Sequence, residues 1–462
     1  MSMRIFLLLS FSAGVFACTK TNPDLCCTTE ANCASLGVPV GTDCASGLVC
    51  RGNQCIAEYC GTSADCDAAA PYCATKTCIE TCTEDGQCPG FGGDALTPFC
   101  ESGSCVACRL DADCPGSAGI CDAGKCRGCA QNSECSSALC DVAAMTCIPE
   151  TQIAYATADG ASSGPCTQTQ PCTAKFAFAS TTPSRFIVKL EHGIYPDFAF
   201  SVTDGRAVTV YGDQSTVGVG SELNTGTVSF WDLTLSGAIV CRSLTNGTVP
   251  ILQFDNVDFT DTASVYGSPC KLTIRHSRTR ADGSHIIQGA AGSTVVIDSS
   301  TFDNAPIGIF GHSSITITNT IFTNAGSTGA LLYNSLDDNA ANLISFSTFY
   351  NSKLTCSSGT NQFQLKNNIF VNALPGAPAD TVTGAGCTHS FSLITPQTTM
   401  VGSTNKLNLD PFFVAPNTSD FHLQAISPAI DAADPASTLA ADFDGTARPQ
   451  GAARDMGAFE HH

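Results

Sequence analysis

The sequence predicts an all-β fold, a parallel β-helix (solenoid) preceded by a small disulfide-rich repeat region. Three observations predict it. Of 29 cysteines, 22 are crowded between Cys26 and Cys147, where almost no apolar periodicity is visible. Beyond them, from about residue 230, an apolar residue is followed five positions later by a second one and, two further on, by Asn, Asp or Gly, again and again. Finally, only 13% of the residues are charged while Gly, Ser, Thr, Asn and Ala abound, which suits a turn-rich β chain better than a helical one.

The charge balance excludes one class of partner. With 21 Lys+Arg against 41 Asp+Glu the net charge is -20, leaving few cations to displace counterions from a phosphate backbone, so nucleic acid is not an expected partner. Residues 1–17 read as an export signal: Arg4, an apolar run from Ile5 to Phe16, then Ala17 and Cys18. Val15 and Ala17 fit cleavage before Cys18, and the site resembles the lipobox of bacterial lipoproteins. That resemblance implies lipidation at Cys18 and attachment to a membrane through several acyl chains, the alternative being ordinary secretion. Thr19 is compatible with sorting to the outer membrane. Removing Cys18 leaves an even 28 cysteines, as an oxidised, exported chain requires.

Residues 18–150 form the cysteine-rich region. Four-cysteine units recur as Cys60-Cys66-Cys73-Cys78, Cys82-Cys88-Cys100-Cys105, Cys108-Cys114-Cys121-Cys126 and Cys129-Cys135-Cys140-Cys147, after an earlier unit that spans Cys26 to Cys55. Units of roughly 20 to 25 residues bury too little apolar surface to offset chain entropy, so cross-links must restrict the unfolded state instead. Each unit allows three pairings and the sequence does not choose among them. Zinc is the competing use of clustered cysteines. Its thiolate pairs are usually separated by two residues, whereas here four or five intervene and the segment holds no His.

A new domain begins near Gln152, and residues 151–402 carry the solenoid. The first and second anchors and the turn position read Phe230, Leu235, Gly237; Phe254, Phe259, Asp261; Ile297, Phe302, Asn304; Ile317, Phe322, Asn324; Ile344, Phe349, Asn351; and Leu365, Phe370, Asn372. One coil, from Ile274 to Ala281, keeps the spacing without the Phe and the Asn. Alternation within short strands puts one row inside the tube, and equivalent residues stack on the next turn, so the Phe anchors should form a ladder. The Asn/Asp/Gly slot fits a corner with left-handed backbone.

Residues 403–462 close the chain. Asp410-Pro411-Phe412-Phe413, Asp420-Phe421-His422-Leu423, Ser427-Pro428-Ala429-Ile430-Asp431, Asp442-Phe443-Asp444-Gly445, Arg448-Pro449 and Asp455-Met456-Gly457-Ala458-Phe459-Glu460 together resemble the C-terminal region of the choice-of-anchor Q family of bacterial β-helix proteins. The resemblance implies a right-handed parallel β-helix of the pectin-lyase-like kind, on the envelope or outside the cell, with no established catalytic residues. This last block is expected to cap the open end of the solenoid. At the other end, Ile153 to Ala156 and the Gly-Pro-Cys and Pro-Cys steps at Cys166 and Cys172 resemble the strand, loop and capping helix that open many such proteins, with Cys166 and Cys172 paired.

Candidate site residues lie where the repeat breaks its rule. Lys271, Arg275, His276, Arg278, Arg280 and His285, joined by Asp282, concentrate cations in an acidic chain. On a strand from Lys271, Leu272 and Ile274 point inward and Lys271, Thr273 and Arg275 outward. Polysaccharide lyases of this fold use Lys, Arg or His as base and Arg against a uronate, so Arg275, His276, Arg278, Arg280 and His285 are the candidate catalytic residues; the alternative is a solvated face salt-bridged to Asp258 and Asp261. The polygalacturonase motifs are out of order here, Gly311-His312-Ser313 preceding Asp337-Asp338. Asp442 and Asp444 are candidate calcium ligands, or members of an Asp-Gly turn. The expected function is a lipid-anchored surface protein presenting its solenoid to a polysaccharide or a surface protein without catalysis or cofactor. A lyase acting on an anionic polysaccharide and a structural spacer are the alternatives.

Overall fold

A computed structural model describes residues 48–51, 54–57, 72–74, 77–79, 81–85, 88, 99–114, 119–243, 248–260, 262–280, 287–289, 292–304, 308–309, 314–324, 342–352, 354–355, 363–374, 380–383, 386–399 and 402–462. The chain divides into two compact units, Met1–Ile148 and Pro149–His462. The export signal, Cys18, Cys60 and Cys66 lie outside the described residues. Among the described residues no helix is long and apolar enough to cross a membrane.

In the first unit every repeat is a short antiparallel hairpin. The third and fourth cysteines face each other across it, as Cys73 and Cys78, Cys100 and Cys105, Cys121 and Cys126, and Cys140 and Cys147 do. The disulfides interlace, first cysteine with third and second with fourth: Cys82–Cys100 and Cys88–Cys105, Cys108–Cys121 and Cys114–Cys126, Cys129–Cys140 and Cys135–Cys147. Each closes a loop 11 to 18 residues long, a length at which the chain-entropy account gives about 3 kcal/mol per bridge. Sulfurs of one unit therefore crowd within 4.8 Å of one another, but as disulfide sulfurs rather than the thiolates that zinc takes. The position three residues after the first cysteine also repeats its task. Asp85, Asp111 and Asn132 accept the backbone N–H of Cys100, Cys121 and Cys140 at 2.8, 2.8 and 2.9 Å. Successive units approach closely at Gly124, whose φ is +76° and where an added Cβ would come 2.6 Å from the Val106 side chain.

The second unit is a parallel β-solenoid. On its first face the register runs Phe230, Phe254, Ile274, Ile297, Ile317, Ile344, Leu365 and His389, one residue per turn. On its second face it runs Leu235, Phe259, Thr279, Phe302, Phe322, Phe349, Phe370, Ile394 and Leu407. The expected Phe ladder is there. Ring centroids of Phe302 and Phe322, Phe322 and Phe349, and Phe349 and Phe370 are 5.3, 4.5 and 4.6 Å apart with planes within 22°. These rings are buried, and each contributes on the order of 2 kcal/mol by leaving water.

Two corners shape each turn. The one after the second face uses the slot read from the sequence: Gly237, Asn304, Asn324 and Asn351 have φ of +82°, +51°, +52° and +52°. Asp261 lies outside the described residues and Asn372 is not left-handed. The corner between the two faces is also left-handed, at Asp232, Asn256, His276, Ser299, Asn319, Phe346, Asn367 and Phe391. Just after it a buried hydroxyl or amide stitches turns together. Ser277 Oγ donates to Arg275 O at 2.6 Å and accepts the Val257 N–H at 3.1 Å, and Ser347 repeats this with Ser345 O and the Thr320 N–H. These buried hydroxyls are thereby satisfied. The Cys241–Cys270 disulfide joins adjacent turns.

The N-terminal end is plugged by the helix Ala174–Ala179, whose Phe178 stacks on Phe200 at 4.9 Å, with the Cys166–Cys172 disulfide beside it. The C-terminal block departs from expectation. Lys406–Leu407 adds a strand to the second face, but the rest of residues 403–462 lies along the side of the solenoid rather than over its end. The reason is in the strands Ile321–Thr323, Thr348–Tyr350, Ile369–Val371 and Leu393–Thr395. They carry apolar residues on both sides, so the outward Ile321, Ile369, Val371 and Leu393 need cover, which Phe413, Phe421, Met456 and Phe459 provide.

Candidate functional site

The same face is uncovered over its earlier turns, because its outward positions there are polar. Thr234, Asp258, Arg278 and Thr301 follow one another in register, one per turn. Parallel to them runs the corner row Gln214, Asp232, Asn256, His276 and Ser299, all left-handed. Together they line an open groove of about 590 Å³, bounded by Phe443 of the C-terminal block. Turns are spaced by about 4.8 Å, so five of them give a trough roughly 20 Å long along the solenoid axis.

The basic side chains that line this groove, Arg278 and His276, both have partners. Arg278 forms a two-point ion pair with Asp258 through its Nε and one Nη, and this hydrogen bonding holds the guanidinium in its charged form. His276, carried at the corner with φ +46°, sets Nδ1 2.8 Å from Asp255 Oδ1. In both pairs the acid sits one turn earlier, 20 or 21 residues back in sequence. Among the described residues, Asp232 has no cation beside it. Its Oδ1 accepts from Asn256 Nδ2 at 2.9 Å and its Oδ2 from the Tyr211 hydroxyl at 3.3 Å. Burial raises the Asp232 pKa, the nearby Asp213 adds to the rise, and the two hydrogen bonds oppose it without cancelling it.

The other candidate residues are dispersed. Lys271 and Arg275 are exposed on the outside of the strand Lys271–Arg275 and make no ion pair among the described residues. Arg280 is in register with Asp303, while Asp282, His285, His312, Asp337 and Asp338 lie outside the described residues. Asp442 is buried: Oδ1 accepts the N–H groups of Asp444 and Thr446, and Oδ2 that of Glu460, which are the bonds of a turn. Asp444 instead binds His422 Nε2 at 2.9 Å, so the two carboxylates do not converge on one point as calcium ligands would. Gln214, Asp232, Asn256 and Ser299 were not among the sequence candidates. For Asp232 and Asn256 a signal exists: both fall two residues after a first anchor, Phe230 and Phe254.

No family model and no curated protein matches this chain. The crystal structure of pectate lyase Pel9A is similar to it over 68% of this chain and 98% of that one, at 16% identity and a TM-score of 0.44. The assignment of the parallel solenoid rests on the strand register given above.

Proposed function

We propose that this chain is an exported, lipid-anchored protein of the bacterial cell surface whose solenoid presents the groove to a carbohydrate or protein ligand without turning it over. The export signal with Cys18 and the disulfide-stapled repeats support the location, since such bridges persist in oxidising compartments. One observation carries the non-catalytic reading: Arg278 and His276 are each held by a carboxylate of the preceding turn. An eliminating enzyme needs a cation free to neutralise the substrate carboxylate, and the guanidinium of this groove is already occupied at two points by Asp258.

The lyase alternative retains one supporting observation, the exposed Arg275 and Lys271, which make no ion pair among the described residues. Incubating the purified protein with a panel of uronate polymers and following the absorbance of the unsaturated product separates the two. No turnover, with binding on a glycan array, is the expected result. Turnover abolished by Arg275→Ala contradicts it, and neither turnover nor binding favours a spacer.

A further inference from the structure

We infer that the groove over the turns from Gln214 to Thr301 takes an uncharged, hydroxyl-rich saccharide chain laid along the solenoid axis; this rests on the binding reading above and names its ligand class.

The groove offers a hydrogen-bonding group at each turn in two parallel rows. Gln214 and Asn256 present amides, Thr234, Ser299 and Thr301 hydroxyls, and Asp232 a carboxylate. Donors and acceptors are thus mixed, as a sugar hydroxyl that both donates and accepts requires. The spacing of about 4.8 Å between turns is close to the rise of one monosaccharide in an extended chain, so successive rings meet equivalent groups. Phe443 adds an apolar wall against which the C–H face of a ring can pack.

Charge excludes the anionic polymers. Asp258 neutralises Arg278 and Asp255 hydrogen-bonds to His276, while Asp232 faces no cation among the described residues. A uronate entering here meets net negative charge on a protein whose overall charge is -20. Peptides are also disfavoured. Their two common modes are an apolar anchor in a pocket and strand addition to a free edge. Leu233 is buried in the solenoid core and Phe443 is half-buried against the C-terminal core, and the strands beneath the groove are paired with the turn on either side.

The test is isothermal titration of the full mature chain with neutral oligosaccharides (cello-, xylo-, manno- and N-acetylchito-oligomers) and with oligogalacturonate and oligoalginate, repeated with Asn256→Gly. Glycine keeps the left-handed backbone at that corner and removes only the amide, and an unchanged melting temperature shows that the fold is intact. The expected result is binding of at least one neutral oligomer, stronger than of either uronate, and weakened at least tenfold in Asn256→Gly. A uronate that outcompetes every neutral oligomer overturns the inference and leaves the binding reading standing. Neutral binding untouched by Asn256→Gly overturns the assignment to this groove. If no saccharide binds, the inference falls and the binding reading rests on protein ligands alone.

Discussion

The Arg448 guanidinium donates to the Glu460 carboxylate at 2.7 Å, and solvent reaches neither side chain. The same guanidinium donates to Asp455 O at 3.1 Å and Gly457 O at 2.8 Å, reaches Asn319 Oδ1 at 3.5 Å, and lies 4.6 Å from the centre of the Phe346 ring. Asn319 and Phe346 are corners of successive solenoid turns, so one buried cation ties the end of the chain to the tube. Breaking such a pair from one side strands a charge. Arg448→Met is therefore expected to cost about 3 to 5 kcal/mol in urea unfolding, and much of that returns in the double variant with Glu460→Leu. A single-variant loss below about 1 kcal/mol would contradict this role.

Thr279 interrupts the aromatic column between Phe259 and Phe302, and its hydroxyl is buried without a hydrogen-bond partner among the described residues. Thr279→Val keeps the shape and removes the orphaned group. It is expected to raise the urea midpoint by the equivalent of about 1 kcal/mol at constant slope; a lower midpoint would show that the hydroxyl is satisfied.

The His422 ring joins three parts of the C-terminal block. Nδ1 is 2.7 Å from Asp420 Oδ1, Nε2 is 2.9 Å from Asp444 Oδ2, and the ring centre is 4.1 Å from that of Phe459. Burial works against the charged ring, but the two carboxylates outweigh it and raise the pKa above 6.5; Asp420 is correspondingly held below 3.8 by its bond to His422. A raised His pKa contributes stability in full below the unfolded value and loses it as pH climbs through the folded one. The depressed Asp420 contributes above its unfolded value and loses that as pH falls through the folded one. The melting-temperature gap between wild type and His422→Gln should thus be wide near about pH 5.5 and shrink towards about pH 9. A gap that grows with pH refutes the ion pairs.

Particular residues show how far the sequence could be read. Phe302, Phe322, Phe349 and Phe370 announce their stacking because an internal residue recurs at fixed register in every turn, and in these four turns the second anchor is Phe. The pairing of the cation cluster was less visible. Asp255 lies 21 residues before His276, and only the turn spacing brings them together. The left-handed corner between the faces was hidden at His276, Ser299 and Phe346, residue types that rarely declare such a backbone and are held there by the packed turns on either side. The side position of the C-terminal block has a signal in the sequence: Ile321-Phe322, Ile369-Phe370-Val371 and Leu393-Ile394 put adjacent apolar residues on opposite faces of short strands. The interlaced disulfides had none, because three pairings fit every unit equally.

The C-terminal segment lies along the solenoid, covering its later turns and leaving the groove open on the earlier ones. Lys366, on a solenoid strand, forms an ion pair with Asp434 of that segment. Zero-length carbodiimide coupling followed by peptide mass spectrometry should recover an amide between Lys366 and Asp434. Its absence, with Lys366 coupled elsewhere or unreacted while Asp434 is modified by solvent nucleophile, would contradict the arrangement and the groove drawn from it.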